Sequence, residues 1–233
     1  MLRVGSAVRL TLDCLFPQSC IGCGRPGSYF CARCETHLPW IFPPLCPRCG
    51  RPQASAILCP ICAQTASALS VIRSPLRFEG AARRAIHELK YHNLRAIAPT
   101  LATYLVRTLR DTGYEPDIIV PVPLHSRRAR RRGYNQSLLL AREVGRETCT
   151  PVSADALSRV REGTSQVHTA SVEERRQNVS GAFVCSSDAS VSGRRILVID
   201  DVCTTGATLE SCAVTLRSAG AIDVQGLTVA REV

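Results

Sequence analysis

The chain of 233 residues contains 29 basic residues, and Lys90 is the single lysine among them. Nearly all of the net charge of +10 is therefore arginine. Genome composition produces such a bias as readily as function does, so the charge permits an anionic partner, either a phosphate-rich small molecule or a nucleic acid, without choosing one. Also missing is any apolar run long enough to cross a bilayer. Residues 7–16 come nearest, but Arg9 and Asp13 interrupt them, which argues against a transmembrane helix and a clean signal peptide. The expected location is cytoplasmic. A hydrophobic content of 45% is ordinary for a globular protein, and the length suits one full α/β domain with a small appendage.

Cysteine is the residue in excess. Of 13 cysteines, eight form four Cys-x-x-Cys pairs: Cys20 and Cys23, Cys31 and Cys34, Cys46 and Cys49, Cys59 and Cys62. Two intervening residues let both thiolates turn toward one tetrahedral Zn²⁺, and two pairs complete a Cys₄ site. Sequential pairing gives two structural zincs, with glycines and prolines at Gly24, Pro26, Pro47, Gly50, Pro52 and Pro60 supplying the tight turns. Clustered, regular spacing favours metal in a reducing compartment over disulfides. Cys14, Cys149, Cys185, Cys203 and Cys212 read as small buried residues, and His37 as a surface histidine beside two filled sites. Between the pairs, the apolar patch from Trp40 to Pro44 suits docking on the following domain, the alternative being stacking on a nucleic-acid base.

The segment from Ile196 to Thr208 carries the most chemistry. Ile196 to Ile199 read as a strand buried on both faces of a parallel sheet. The carboxylates Asp200 and Asp201 follow where that strand should end, then a turn of small hydroxyl residues around Gly206. Leu209, Cys212, Ala213 and Leu216 then mark one helical face that stops at Gly220. A turn of this kind, at the carboxyl end of a parallel strand and the start of a helix, offers N–H groups and hydroxyls to a phosphate. Two anions beside a phosphate cradle make sense as acceptors from vicinal sugar hydroxyls or a metal's water shell. The expected ligand is 5-phosphoribosyl-1-pyrophosphate with Mg²⁺. The run closely resembles the ligand motif of type I phosphoribosyltransferases.

Around that motif the sequence predicts an α/β domain over residues 67–233, after an N-terminal helix and double zinc ribbon over residues 1–66. Residues 63–70 read as a small-residue linker, and residues 71–78 as an edge strand or hairpin arm broken by Pro75. Helices are expected over residues 81–91 and 95–110, with Lys90 near the first C-terminus, where a cation is favoured. A second buried strand, residues 117–122, leads into Pro121-Val-Pro-Leu-His125. Five arginines between Arg127 and Arg132 come next, then Gly133-Tyr-Asn-Gln136 and a helix to about residue 147. Arg132 and Gly133 stand where a pyrophosphate needs positive charge, and the other arginines suit a nucleic-acid backbone. Residues 155–181 are polar and read as a lid that would shield a reacting sugar centre from water. Within them His168 is a solvent-facing residue or a general base. Short strands over residues 181–185 and 224–229 complete the sheet.

Taken with Leu89-Lys-Tyr91, the Pro-Val-Pro-Leu-His run, Arg132-Gly-Tyr-Asn-Gln136, Thr164 with Gln166, and the Arg-x-x-Asn-Val and Gly-Ala-Phe elements of residues 175–183, the whole chain resembles the ComF family. That resemblance implies a double zinc ribbon joined to a phosphoribosyltransferase-like domain, and a role in DNA uptake during natural transformation. It gives ligand-binding roles to Lys90, Val122, Pro123, Arg132, Gly133, Arg175 and Thr204, Thr205, Gly206, Ala207 and Thr208, with Asp200 and Asp201 central. The implied partners are phosphoribosyl pyrophosphate, single-stranded DNA and other DNA-uptake proteins, through which membrane association would be peripheral. Three functional expectations stay open: a phosphoribosyltransferase, a non-catalytic single-strand-binding adaptor, and a metabolite sensor.

Overall fold

The structure is a computed structural model that describes residues 18–160, 181–187 and 189–233, with the backbone alone at Ser126. Cys14, the N-terminal helix and Arg161, Thr164, Gln166, His168, Arg175, Arg176 and Asn178 lie outside those residues. In chain order the elements are short helices α1 (Ala32–Thr36) and α2 (Pro60–Gln64), strands β1 (Val71–Arg73) and β2 (Leu76–Arg77), and α3 (Gly80–Tyr91). A 3₁₀ turn at Arg95–Ile97 leads into α4 (Ala98–Thr112), then β3 (Ile118–Pro121), α5 (Ser126–Arg132) and α6 (Gln136–Thr148). The last five are β4 (Leu157–Arg159), β5 (Phe183–Cys185), β6 (Arg195–Cys203), α7 (Ala207–Ser218) and β7 (Asp223–Arg231).

The main sheet is parallel throughout, in the order β1-β7-β6-β3, with β2 extending along β7 past β1. β6 and β7 form its centre because helices cover both faces, which is what four consecutive branched residues require. Leu197 and Ile199 pack with α3, α4 and α6, whereas Ile196 and Val198 pack with α7 and the β4-β5 pair. All four are essentially sealed from solvent, a gross transfer gain of roughly 6–12 kcal/mol. α7 ends as its sequence predicts: Gly220 takes a φ of +94°, and Gly220 N–H and Ala221 N–H bond back to Arg217 O and Leu216 O at 2.9 and 3.0 Å. That is the paired hydrogen bonding of a glycine helix stop.

Three expectations change. Asp200 and Asp201 lie inside β6 rather than beyond it, since β7 is equally long and pairs with β6 as far as Cys203 opposite Arg231. Residues 181–185 do not join the main sheet; Phe183–Cys185 pairs antiparallel with Leu157–Arg159, a strand hidden within a polar stretch because only Ala156 and Leu157 turn inward. The 71–78 segment is an edge strand in two pieces, both parallel to β7 and neither a hairpin arm. Among the scattered cysteines, Cys203 and Cys212 are buried as expected, but Cys149 is exposed at the positive-φ end of α6.

The linker of residues 63–70 is firmly held. Glu210 accepts from Ser67 Oγ at 2.5 Å and Ala68 N–H at 2.6 Å, Arg217 Nε donates to Ala68 O at 3.2 Å, and Ser70 N–H donates to Val224 O at 3.0 Å. Trp40 meets the Tyr104 ring edge-on at 5.0 Å and donates from Nε1 to Glu35 O at 3.0 Å. The docking role expected of the patch thus falls to Trp40, while Phe42 remains 70% exposed. Among the described residues no helix is long and apolar enough to cross a membrane.

Candidate functional site

The eight knuckle cysteines gather into the two sequential clusters, Cys20/23/31/34 and Cys46/49/59/62, with the sulfur atoms of each within 4.8 Å of one another. Four thiolates about 2.3 Å from a tetrahedral Zn²⁺ stand about 3.8 Å apart. Cys23 and Cys31 Sγ are separated by 3.7 Å, and Cys49 and Cys59 Sγ by 3.8 Å, a fit to metal and far too long for a disulfide. The clusters repeat one another in detail. Cys31 N–H points at Cys20 Sγ and Cys59 N–H at Cys46 Sγ, each at 3.4 Å. Burial works against ionisation of Cys20 and Cys46, but backbone N–H groups led by those of Cys31 and Cys59 bring both thiols down to about 6. Thiolates are what a metal binds. His37 is exposed and joins neither cluster, its Nδ1 lying 2.7 Å from Arg33 O.

The second constellation sits where β3 and β6 run side by side, with Val120 opposite Val198 and Pro121 opposite Ile199. Val122 N–H continues that pairing to Ile199 O at 2.9 Å, which places the Pro-Val-Pro turn next to the carboxylates. The Arg132–Gln136 run ties the neighbouring pieces together. Gly133 ends α5 in the left-handed region at φ +76°, so the chain reverses. Tyr134 Oη then donates to Leu89 O, and Asn135 Nδ2 donates to Val122 O at 3.0 Å while its Oδ1 caps α6 at Ser137 N–H, 2.9 Å. Ser137 is thereby placed to donate from Oγ to Asp200 Oδ1 at 2.8 Å. Tyr134 and Asn135 belong to the Arg132–Gln136 run, whereas Ser137 is a position the motif does not single out, because its partner Asp200 lies 63 positions away in sequence.

Lys90 completes the pair. Rather than only serving the C-terminus of α3, its Nζ lies 2.5 Å from Asp201 Oδ1. Asp201 is 3% exposed and its Oδ2 has no partner among the described residues, an orphaned acceptor of the kind a ligand hydroxyl or a metal-bound water would satisfy. Burial and the adjacent Asp201 charge push Asp200 up to about 7, against the opposing pull of Lys90 and the Ser137 hydroxyl. The two carboxylates therefore sit in unlike environments: one is ion-paired, the other is poised near neutrality.

Beyond β6, the Thr204–Ala207 turn lies on the wall of a cavity of about 800 Å³ that also touches the second cysteine cluster and the outer face of α7. Gly206 holds a φ of +84° at the N-cap of α7, and Thr205 Oγ1 accepts from Ala207 N–H at 3.3 Å. Thr204 is exposed and Thr208 half-buried. The fold thus brings Lys90 of α3 and Val122, just past β3, to Asp200 and Asp201 within β6, with Pro123, Arg132 and Gly133 on the segment that follows Val122 and Thr204–Thr208 following β6 in the chain. Arg132 rests over the Tyr91 ring at 5.3 Å and donates to Gln136 Oε1. The arginine block itself is helical, and Arg127, Arg128, Arg130 and Arg131 are exposed along it.

Residues 88–231 match the model of the phosphoribosyl transferase domain and residues 11–63 that of the double zinc ribbon domain. DNA utilization protein YhgH of Escherichia coli K12 is 38% identical over 145 residues, which cover 60% of this chain and 63% of that protein. Competence protein F of Haemophilus influenzae is 36% identical over 152 residues, covering 63% and 66% respectively. Competence protein ComFC of Bacillus subtilis is 32% identical over 115 residues, covering 49% and 44%. The chain spans less than two thirds of the length of these relatives. The two cysteine clusters are the zinc sites of a double zinc ribbon, and the chain belongs to the phosphoribosyl transferase domain family, in the two-domain form that its resemblance to ComF proteins implies.

Proposed function

We propose that the chain binds 5-phosphoribosyl-1-pyrophosphate with Mg²⁺ at the ends of β3 and β6 and serves DNA uptake. The observation that carries this is the Asp200–Asp201 pair, held by Ser137 and Lys90, with a carboxylate oxygen that has no partner among the described residues and a hydroxyl-rich turn following in the chain. Asp200 and Asp201 would accept from the ribose hydroxyls and from Mg²⁺-bound water, Thr204–Thr208 would hold the 5-phosphate, and Val122, Pro123, Arg132 and Gly133 would meet the pyrophosphate. Lys90 holds Asp201 in place, so that little reorganisation accompanies binding. Mg²⁺ supplies charge neutralisation of the pyrophosphate. Arg175 keeps the ligand-binding role that the ComF resemblance gives it.

Were an acceptor nucleophile to displace pyrophosphate at C1 of the ribose, these residues would accelerate it by positioning and electrostatics. The DNA link is drawn from the names of the relatives, and the exposed arginines of α5 suit a single-stranded phosphate backbone. Calorimetry of wild type and the Asp200→Ala, Asp201→Ala double variant with the Mg²⁺ complex of phosphoribosyl pyrophosphate tests the binding claim. Removal of two charged acceptors is expected to weaken binding by about 100-fold or more, and equal affinities would refute the site. A parallel screen of bases, amines and single-stranded oligonucleotides for acceptor-dependent pyrophosphate release distinguishes a transferase from a binder.

A further inference from the structure

The phosphate turn is short of positive charge. From Ile196 to Thr208 there are two aspartates and no lysine or arginine, yet a phosphomonoester brings nearly two negative charges. Backbone N–H groups and the start of α7 offset part of that charge. Those groups hold a phosphate by themselves, and a guanidinium entering from elsewhere in the fold would add a stronger, charge-assisted contact.

The cavity at the turn shows where. Thr204, Thr205, Gly206 and Ala207 line it together with Arg48, Cys49 and Arg51 of the second ribbon and with Arg231 from the end of β7. Two of these three arginines have structural duties. Arg48 Nη1 donates to Cys62 O and Thr65 O, both at 2.6 Å, which ties α2 and the linker to the Cys46–Cys49 knuckle. Arg231 is 2% exposed and donates from Nη1 to Cys49 O, its Nε having no partner among the described residues. Arg51 is half-buried, and among the described residues its guanidinium makes no hydrogen bond or ion pair.

The backbone that carries Arg51 is well fixed. The Arg51 carbonyl accepts from Cys46 N–H at 2.8 Å. The preceding Gly50, at φ +69°, lies so close to β1 that an added Cβ would come within 2.5 Å of Ile72 O, while Ile72 N–H donates to Arg48 O at 2.7 Å. The knuckle is thus registered against β1, whose Ile72 side chain in turn packs under Gly206. Of the acids on the cavity, Glu210 is occupied by Ser67 and Ala68, and Glu232 is exposed at its edge.

We propose that Arg51, carried on the second zinc ribbon, is a binding residue of the phosphate turn, supplying from the metal domain the cation that the turn lacks. This rests on the phosphoribosyl reading of the site, and the ligand group it recognises is a phosphomonoester such as that of ribose 5-phosphate. The ribbon then forms part of the ligand site as well as an appendage to it.

The test is calorimetry of wild type, Arg51→Gln and Arg51→Lys with ribose 5-phosphate and, separately, with inorganic pyrophosphate and Mg²⁺, zinc content being measured on each protein. Arg51→Gln is expected to lose about 10- to 100-fold in affinity for ribose 5-phosphate while pyrophosphate affinity and zinc content hold, and Arg51→Lys to recover part of the loss. Wild-type affinity for ribose 5-phosphate in Arg51→Gln overturns the assignment, as does a variant that loses zinc and ligand together, which would make the residue a structural part of the ribbon. A wild-type protein that binds neither compound overturns the phosphoribosyl reading itself, and the assignment with it.

Discussion

The two metal clusters share an internal design and differ in what they lean on. Each has one thiol accepting an N–H at 3.4 Å from the third cysteine of its set and a close sulfur pair at 3.7 or 3.8 Å. The first packs against α3 and α4, with Arg84 Nε donating to Ile21 O at 3.3 Å and the Phe30 and Tyr104 ring centres 6.2 Å apart. The second is bonded to the sheet itself. Arg73 Nη2 donates to Pro47 O at 2.9 Å, Arg231 donates to Cys49 O, and the cluster shares a cavity with the phosphate turn. One motif repeated in sequence therefore has two settings: the first cluster braces a helical layer, and the second borders the cavity at the proposed phosphate turn. The Cys-x-x-Cys spacing fixes the metal, and the docking surface fixes the consequence.

The largest expected effect breaks this asymmetry directly. Cys62→Ser, in the buried set, and Cys23→Ser, in the exposed one, should each halve the zinc content measured by metal analysis. Only Cys62→Ser should also weaken binding of phosphoribosyl pyrophosphate, by about 30-fold or more, because ribbon and turn are ordered together. Cys23→Ser should stay within about twofold of wild type. Equal losses in the two variants would mean that the clusters are interchangeable supports.

Trp40 gives a smaller effect on the other side of the comparison. It is half-buried between Glu35 of the first ribbon and Tyr104 of α4. Trp40→Ala should lower stability in urea by about 2 kcal/mol, less than the roughly 3–5 kcal/mol typical of a fully buried aromatic. Ligand affinity should not move. A drop in affinity alongside the lost stability would place the first ribbon in contact with the site after all.

Much of this arrangement is legible in residue order, for physical reasons. Ile196–Ile199 must be buried on both faces, four evenly spaced cysteine pairs must bind metal or oxidise, and Gly220 must end a helix. These are local requirements. The rest depends on contacts between distant residues: Glu210 holds Ser67 and Ala68 across more than 140 positions, and Arg231 reaches Cys49 across 182. No periodicity records such pairings. The Lys90–Asp201 ion pair was concealed by an adequate local explanation, a cation at a helix C-terminus, and the Leu157–Arg159 strand by having too few apolar residues to display a period. Two adjacent acids usually end a strand, but the matching length of β7 keeps Asp200 and Asp201 within β6.

The smallest expected effect concerns the carboxylate pair, which should behave independently of both ribbons. Asp200 is raised from 3.8 to about 7 in the folded protein, chiefly by burial and by Asp201 beside it. As pH rises from about 4 to about 7, the unfolded chain releases this proton and the folded chain keeps it, so stability falls across that window and then levels off. Asp200→Asn removes the titration. Without ligand, the variant should gain on wild type through the same window and hold that gain above it. The gain should be the same in a Cys23→Ser background, since that cluster lies on a different surface. Melting curves at pH 5, 6, 7 and 8 decide the point. A difference independent of pH would show that Asp200 is ionised throughout, its charge already balanced by Lys90 and Ser137, and the unlike environments of the two carboxylates would then have to come from the ligand rather than from the fold.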